Sequence, residues 1–118
     1  FVSGQISKTA AGAAVTGKLG VDVDVAGGQK AAELCALNIL AQVKAAVGDL
    51  DRIVRVVRLN AFVNSAPDFT DQPQVVNGAS NLIANVLGEK GKHSRTAVGV
   101  AAMPLGVAVE IDAIIEVS

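Results

Sequence analysis

The chain has 118 residues, 51% apolar and 18% charged, with a net charge of −1; that length suits one domain with its own core, and that balance excludes a disordered chain. Trp and Tyr are absent and Phe occurs three times, so the core must be built from Ala, Val, Leu and Ile, which suit close packing of helices on a sheet. Gripping a phosphate backbone needs clustered Lys and Arg; the densest cluster, Lys90, Lys92, His93 and Arg95, has no aromatic interleaved for base stacking, so no nucleic-acid partner is expected.

Phe1 to Lys8 predicts a short strand, and Ala10 to Ala14 a flexible connection. Gly17-Lys18-Leu19-Gly20 predicts a turn, and the alternation of Val21 to Val25 a strand end or an extended lead-in to Gly27-Gly28. From Gln29 to Val47 the period is helical: Ala32, Cys35, Ala36, Ile39, Val43, Ala46 and Val47 recur at three- and four-residue steps, and Gly48 is a stop. The β-branched run from Asp51 to Val63 predicts a buried strand, broken by Ser65-Ala66-Pro67-Asp68. A second helix is predicted from Gln74 to Leu87 on a stripe of Val75, Ala79, Leu82, Ile83 and Val86. Two strands close the chain, Ser94 to Ala102 and Gly106 to Val117, around Met103-Pro104-Leu105. There is no repeat and no boundary, so residues 1–118 read as one α+β domain. Two helices cover one face of such a sheet. Its strands are apolar on both sides, so another copy of the chain is the expected cover for the second face.

Several chemistries are excluded. A single Cys makes no intrachain disulfide, so nothing requires an oxidising compartment and a cytoplasmic protein is expected. The longest uncharged run, Thr96 to Val109, is interrupted by Pro104 and falls short of the roughly 18 residues of a spanning helix. The opening Phe1-Val2-Ser3-Gly4 is no signal peptide. A chain that opens on a β-like run without Met reads as a fragment whose N-terminal residues are missing. One His and one Cys cannot build a His/Cys metal site, so no metal is expected. Cys35 lies on the apolar stripe as a small hydrophobe, and His93 reads as a solvated loop residue. No glycine stretch matches a phosphate loop or a dinucleotide fingerprint, and no Ser sits in a nucleophile elbow. Neither a cofactor nor covalent catalysis is expected.

What remains is Arg95, opening an otherwise uncharged strand, and Glu110, interrupting an apolar one. A guanidinium there offers a planar fork for a carboxylate, or else makes a strand-end ion pair. Glu110 offers an acceptor that could orient water, or else is a solvated edge residue. If the last two strands pair as a hairpin about Pro104, Glu110 falls opposite Gly99, roughly 13 Å along the strand from Arg95. To share one small ligand, the strands must not be neighbours or the side chains must meet across a subunit boundary.

The segments Ser94-Arg95-Thr96-Ala97-Val98 and Val109-Glu110-Ile111-Asp112-Ala113-Ile114 resemble the C-terminal signature of the RidA/YjgF family of enamine/imine deaminases, including its Arg-to-Glu spacing. Ser3-Gly4-Gln5 resembles the family's Ser-Gly-Gln strand, and Asn77 approximates the Asn of its second helix, so the resemblance spans essentially the whole chain. Departures include His93-Ser94 for the usual Pro-Ala, Ala97 for a frequent Cys, and Met103-Pro104-Leu105 for Leu-Pro-Lys; the family's N-terminal segment and its pocket Tyr are absent. The resemblance implies a chorismate-mutase-like α+β fold, a mixed sheet with two helices on one face, and a homotrimer with ligand sites between subunits. It implies cofactor-free hydrolysis of 2-aminoacrylate-type enamines and imines to 2-oxo acids and ammonia. Arg95 would clamp the substrate carboxylate, Glu110 would hold the attacking water, and Ser3, Gly4 and Asn77 would line the pocket. The alternative is a non-catalytic trimer that binds a small carboxylate in the same cleft. Some family members are named as ribonucleases or translation inhibitors, a reading that the acidic balance of this chain opposes.

Overall fold

A computed structural model describes residues 1–118. In chain order its elements are β1 (Val2–Ile6), β2 (Lys8–Thr9), β3 (Gly12–Ala13), α1 (Val25–Val47), β4 (Ile53–Asn64), α2 (Gln72–Leu87), β5 (Ser94–Val100) and β6 (Val109–Val117). The predicted order of strand, helix, strand, helix, strand, strand therefore stands. What was read as a flexible connection at Ala10–Ala14 is instead the tight β2–β3 hairpin, with Lys8 opposite Ala13.

The first helix begins four residues before the predicted Gln29. Val21–Val25 leads into it rather than forming a strand, because the Asp24 carboxylate accepts from the Gly27 amide at 2.8 Å and caps the first turn. That cap outweighs the helix cost of Gly27 and Gly28. Gly28 is needed for packing, since a Cβ there would lie 2.9 Å from Leu19 and 3.0 Å from Val75. At Gly78 a Cβ would lie 2.3 Å from the Gln29 carbonyl, so its bare backbone lets α1 and α2 cross closely. The α2 stripe differs at one position from that predicted: Val76 is buried, while Val86 is exposed.

The main sheet has the order β1-β6-β4-β5. β5 runs parallel to β4, as a crossover through α2 requires, while β6 returns antiparallel between β1 and β4. The last two strands thus form no hairpin. Instead the segment between them pairs with the chain before α1, through Thr16 opposite Val107 and the Gly17 amide donating to Gly106 at 2.8 Å. The core lies between the helices and one face, where Ala32, Cys35, Ala36, Ile39, Val75, Val76, Ala79 and Ile83 meet Val56, Leu59, Ala61, Val63, Val109, Ile111 and Ala113. No helix is long and apolar enough to cross a membrane.

The helix-free face is more polar than the sequence suggested. Phe62, Ile114 and Val98 share it with a hydrogen-bonded row. In that row Asn60 donates to Asp112 at 2.8 Å, and Arg58 donates to Asn60 at 3.0 Å and to the Thr96 hydroxyl.

Candidate functional site

Arg95 stands near the start of β5, an outer strand of the sheet. Its register partner is the core residue Leu59, so its side chain leaves the sheet on the helix side and reaches α2. There Nη1 donates to the Ser80 hydroxyl at 3.1 Å and Nη2 to the Pro73 carbonyl at 3.2 Å. Pro73, Asn77 and Ser80 follow one another at helical spacing, which puts Asn77 on the same stripe between the two contacts. The ion pairs of the chain are Arg55–Glu116 and Lys92–Glu89; Arg95 belongs to neither. The strand-end ion pair considered for it is therefore not formed. Of the five N–H donors of a guanidinium, two are engaged and three remain for a ligand.

His93, read from the sequence as a solvated loop residue, is half-buried and bonded through both ring nitrogens. Nδ1 lies 2.6 Å from the Gly91 carbonyl and Nε2 lies 2.9 Å from Ser80 Oγ. A carbonyl can only accept, so Nδ1 carries the proton and Nε2 accepts from the Ser80 hydroxyl. Ser80 thus receives a bond from Arg95 and donates one to His93. No local pattern marks this cluster, because Ser80 sits mid-helix and lies 13 residues from His93.

Glu110 belongs to β6, which is flanked on both sides by strands, so it is not an edge residue; it is half-buried on the helix-free face. It registers with Ile6 on one side and Phe62 on the other. Gly4 lies against it, and a Cβ on Gly4 would fall 2.6 Å from Glu110 Oε2. Ser3 goes another way: with Val2, Gln5, Val43, Val47 and Ile115 it lines a cavity of about 340 Å³ beside the C-terminal end of α1.

The structure therefore brings Arg95 near Asn77, and Gly4 against Glu110, but does not join the two pairs. From Arg95 the register runs to Leu59 and then to Ala113, three residues from Glu110. Two strand spacings and three residues separate the Cα atoms by roughly 14 Å, with the side chains on opposite faces. Intervening β4 removes the hairpin geometry, yet within one chain the two residues still cannot grip one small ligand. On the helix side, in the core, lies Cys35, whose Sγ approaches the Val109 carbonyl at 3.4 Å. Burial first, and the Glu110 carboxylate second, push its pKa up to about 12, so it is no nucleophile at neutral pH.

Comparison with known proteins agrees with this architecture. Residues 1–116 match the model of the family described as "YjgF/chorismate mutase-like, putative endoribonuclease". The chain is 55% identical to Protein TCP17 of Trypanosoma cruzi over 118 residues, covering 99% of this chain and 74% of that protein. The crystal structure of Atu1372 from Agrobacterium tumefaciens is 61% identical with a TM-score of 0.97, over 98% of this chain and 74% of that one. That of a putative endoribonuclease from Shewanella oneidensis is 34% identical with a TM-score of 0.94, over 98% and 76%. Two helices on one face of a mixed sheet, the order β1-β6-β4-β5, and a family match from the first strand into the last place this chain in the YjgF/chorismate mutase-like family.

Proposed function

We propose that the protein hydrolyses reactive enamines and imines of the 2-aminoacrylate type to 2-oxo acids and ammonia, without a cofactor, in clefts shared between copies of the chain. The observation that carries this reading is the Arg95 guanidinium, held by Ser80 and Pro73, facing no carboxylate and keeping three donors free. Such a fork binds a carboxylate bidentately, and this anchoring supplies the orientation that an already electrophilic protonated imine needs.

The separation of the two half-sites supports the shared cleft. β5 with Arg95 and β1 with Gly4 are opposite edges of one sheet. A contact that joins the β5 edge of one copy to the β1 edge of the next is head-to-tail, and such contacts close into a ring when the rotation between copies closes. A homotrimer of this kind sets the Glu110 of one copy beside the Arg95 of its neighbour. It also covers Val98 and Phe62 on the helix-free face. In that arrangement Glu110 accepts a hydrogen bond from the attacking water and Gly4 leaves room for its carboxylate.

In a coupled dehydratase assay the wild-type protein is expected to accelerate release of the 2-oxo acid, and Arg95→Ala to remove that acceleration while the oligomer persists. Failure of the wild type on several amino-acid-derived imines overturns the reading. One feature favours the non-catalytic alternative: no strong base lies on the Arg95 side except through Ser80. A protein that only binds would be stabilised thermally by a small carboxylate and would turn nothing over.

A further inference from the structure

We propose that Ser80 and His93 are the proton-transfer pair of the Arg95 cleft, an assignment that rests on the deaminase reading above. A weak acid or base is made effective by a neighbour within hydrogen-bond reach that is itself held by a third group. All three parts are present. Ser80 Oγ lies 2.9 Å from Nε2 of His93, and the Gly91 carbonyl accepts from Nδ1 at 2.6 Å, fixing both ring orientation and tautomer. That carbonyl is itself held in place: Gly91 is buried, and a Cβ on it would lie 2.5 Å from the Ile83 carbonyl, so the chain is pressed against the end of α2. Arg95 Nη1 donates to the same Ser80 oxygen at 3.1 Å, so a cation stabilises negative charge arising there as a proton moves. The hydroxyl is thereby one bond from the group that anchors the substrate. Glu110 of the same chain is on the opposite face. His93 stands where the RidA/YjgF pattern has Pro, so this pair belongs to the present chain and not to that pattern.

The steps balance from a protonated imine and one water. The substrate carboxylate lies on the free N–H groups of Arg95, and the oxygen of the water held by the Glu110 of the neighbouring copy bonds to the imine carbon. The C=N electron pair moves onto nitrogen. The surplus proton passes from the water oxygen to Ser80 Oγ as the Ser80 proton passes to His93 Nε2. Imidazolium then returns a proton through Ser80 to the nitrogen, and the C–N bond breaks with its electron pair on nitrogen. The hydroxyl oxygen forms the carbonyl and releases its proton, which leaves with ammonia as ammonium.

The test uses His93→Gln in the intact protein. A glutamine amide oxygen still accepts from Ser80, so the fold and the Arg95 contacts are kept while proton transfer is lost. We expect kcat to fall about 100-fold with KM within about threefold, and thermal stabilisation by pyruvate to be unchanged. A kcat within about threefold of wild type overturns the relay. A second readout exploits the single histidine of the chain. In ¹⁵N-histidine-labelled protein, pyruvate should shift the one imidazole signal pair in wild type and leave it unmoved in Arg95→Ala; an unmoved wild-type signal overturns the relay. A wild type that turns over no imine overturns the deaminase reading and the relay with it, whereas turnover that survives His93→Gln overturns the relay alone.

Discussion

The two sides of the sheet carry the same kind of incompleteness in different surroundings. On the helix side, Arg95 sits on an outer strand and takes its partners from α2, the element just before it in the chain. On the other side, Glu110 sits on an inner strand and is crowded by Gly4 from the far end of the sequence. Neither charge is paired within the chain, although every buried side-chain polar atom has a partner. The interior leaves no polar group unmet, while these two charges, each half-buried, stand without a counterpart in the chain. The contrast also separates their roles. A residue fixed by neighbours in its own chain can bind before any assembly forms, while one that faces a covered surface acts only after it.

Substitutions on each side test this contrast. The largest effect belongs to Arg95→Ala, where loss of charge-assisted hydrogen bonds to a carboxylate should lower kcat/KM by about 100-fold or more. Steady-state kinetics in the dehydratase assay measure it, and an equal loss from Arg95→Lys would show that the planar fork, and not only the charge, is needed. Glu110→Gln should lower kcat by at least about tenfold with KM little changed, since it removes an acceptor for water and leaves the anchor intact. Gly4→Ala should reproduce part of that loss, a few-fold by kinetics, because the added Cβ displaces the Glu110 carboxylate. Substrate binding should survive in both.

The smallest effect reads the two sides through the core. The Cys35 thiol has a folded pKa of about 12 against 9.0 for the free group. Because the folded value is the raised one, its contribution is fully present below pH 9.0 and is lost as pH rises toward about 12. The slope over that window is at most about 1.4 kcal/mol per pH unit. Denaturant titrations at rising pH should show this decline in wild type and in Arg95→Ala, and a shallower one in Glu110→Gln, which lacks the second cause of the shift.

The fold was legible in sequence where local pattern and burial agree. The stripe from Ala32 to Val43 and the β-branched run from Ile53 to Val63 each named their own core face. Strand neighbours were less accessible, because a Pro-containing turn between two apolar runs carries the same local signal whether or not the runs pair with each other. Here Thr16 and Gly17 take up the turn, and β4 separates the strands. The start of α1 was obscured by Gly27-Gly28, whose cost the Asp24 cap offsets. At the site, Arg95 and Glu110 could be picked out because each interrupts an apolar run. Ser80 and His93 interrupt nothing; only the packing of α2 against the start of β5 makes them a pair.

A mixing experiment tests most directly whether each cleft is built from two copies. Arg95→Ala and Glu110→Gln chains, each impaired about tenfold or more alone, are unfolded together, refolded in equal amounts and assayed. If one copy supplies Arg95 and its neighbour Glu110, about one seam in four regains both wild-type residues, and roughly a quarter of wild-type activity should return. Activity no greater than that of the parent variants, in a mixture shown to have co-assembled, would mean that Arg95 and Glu110 do not serve one ligand across a seam and would contradict the shared cleft.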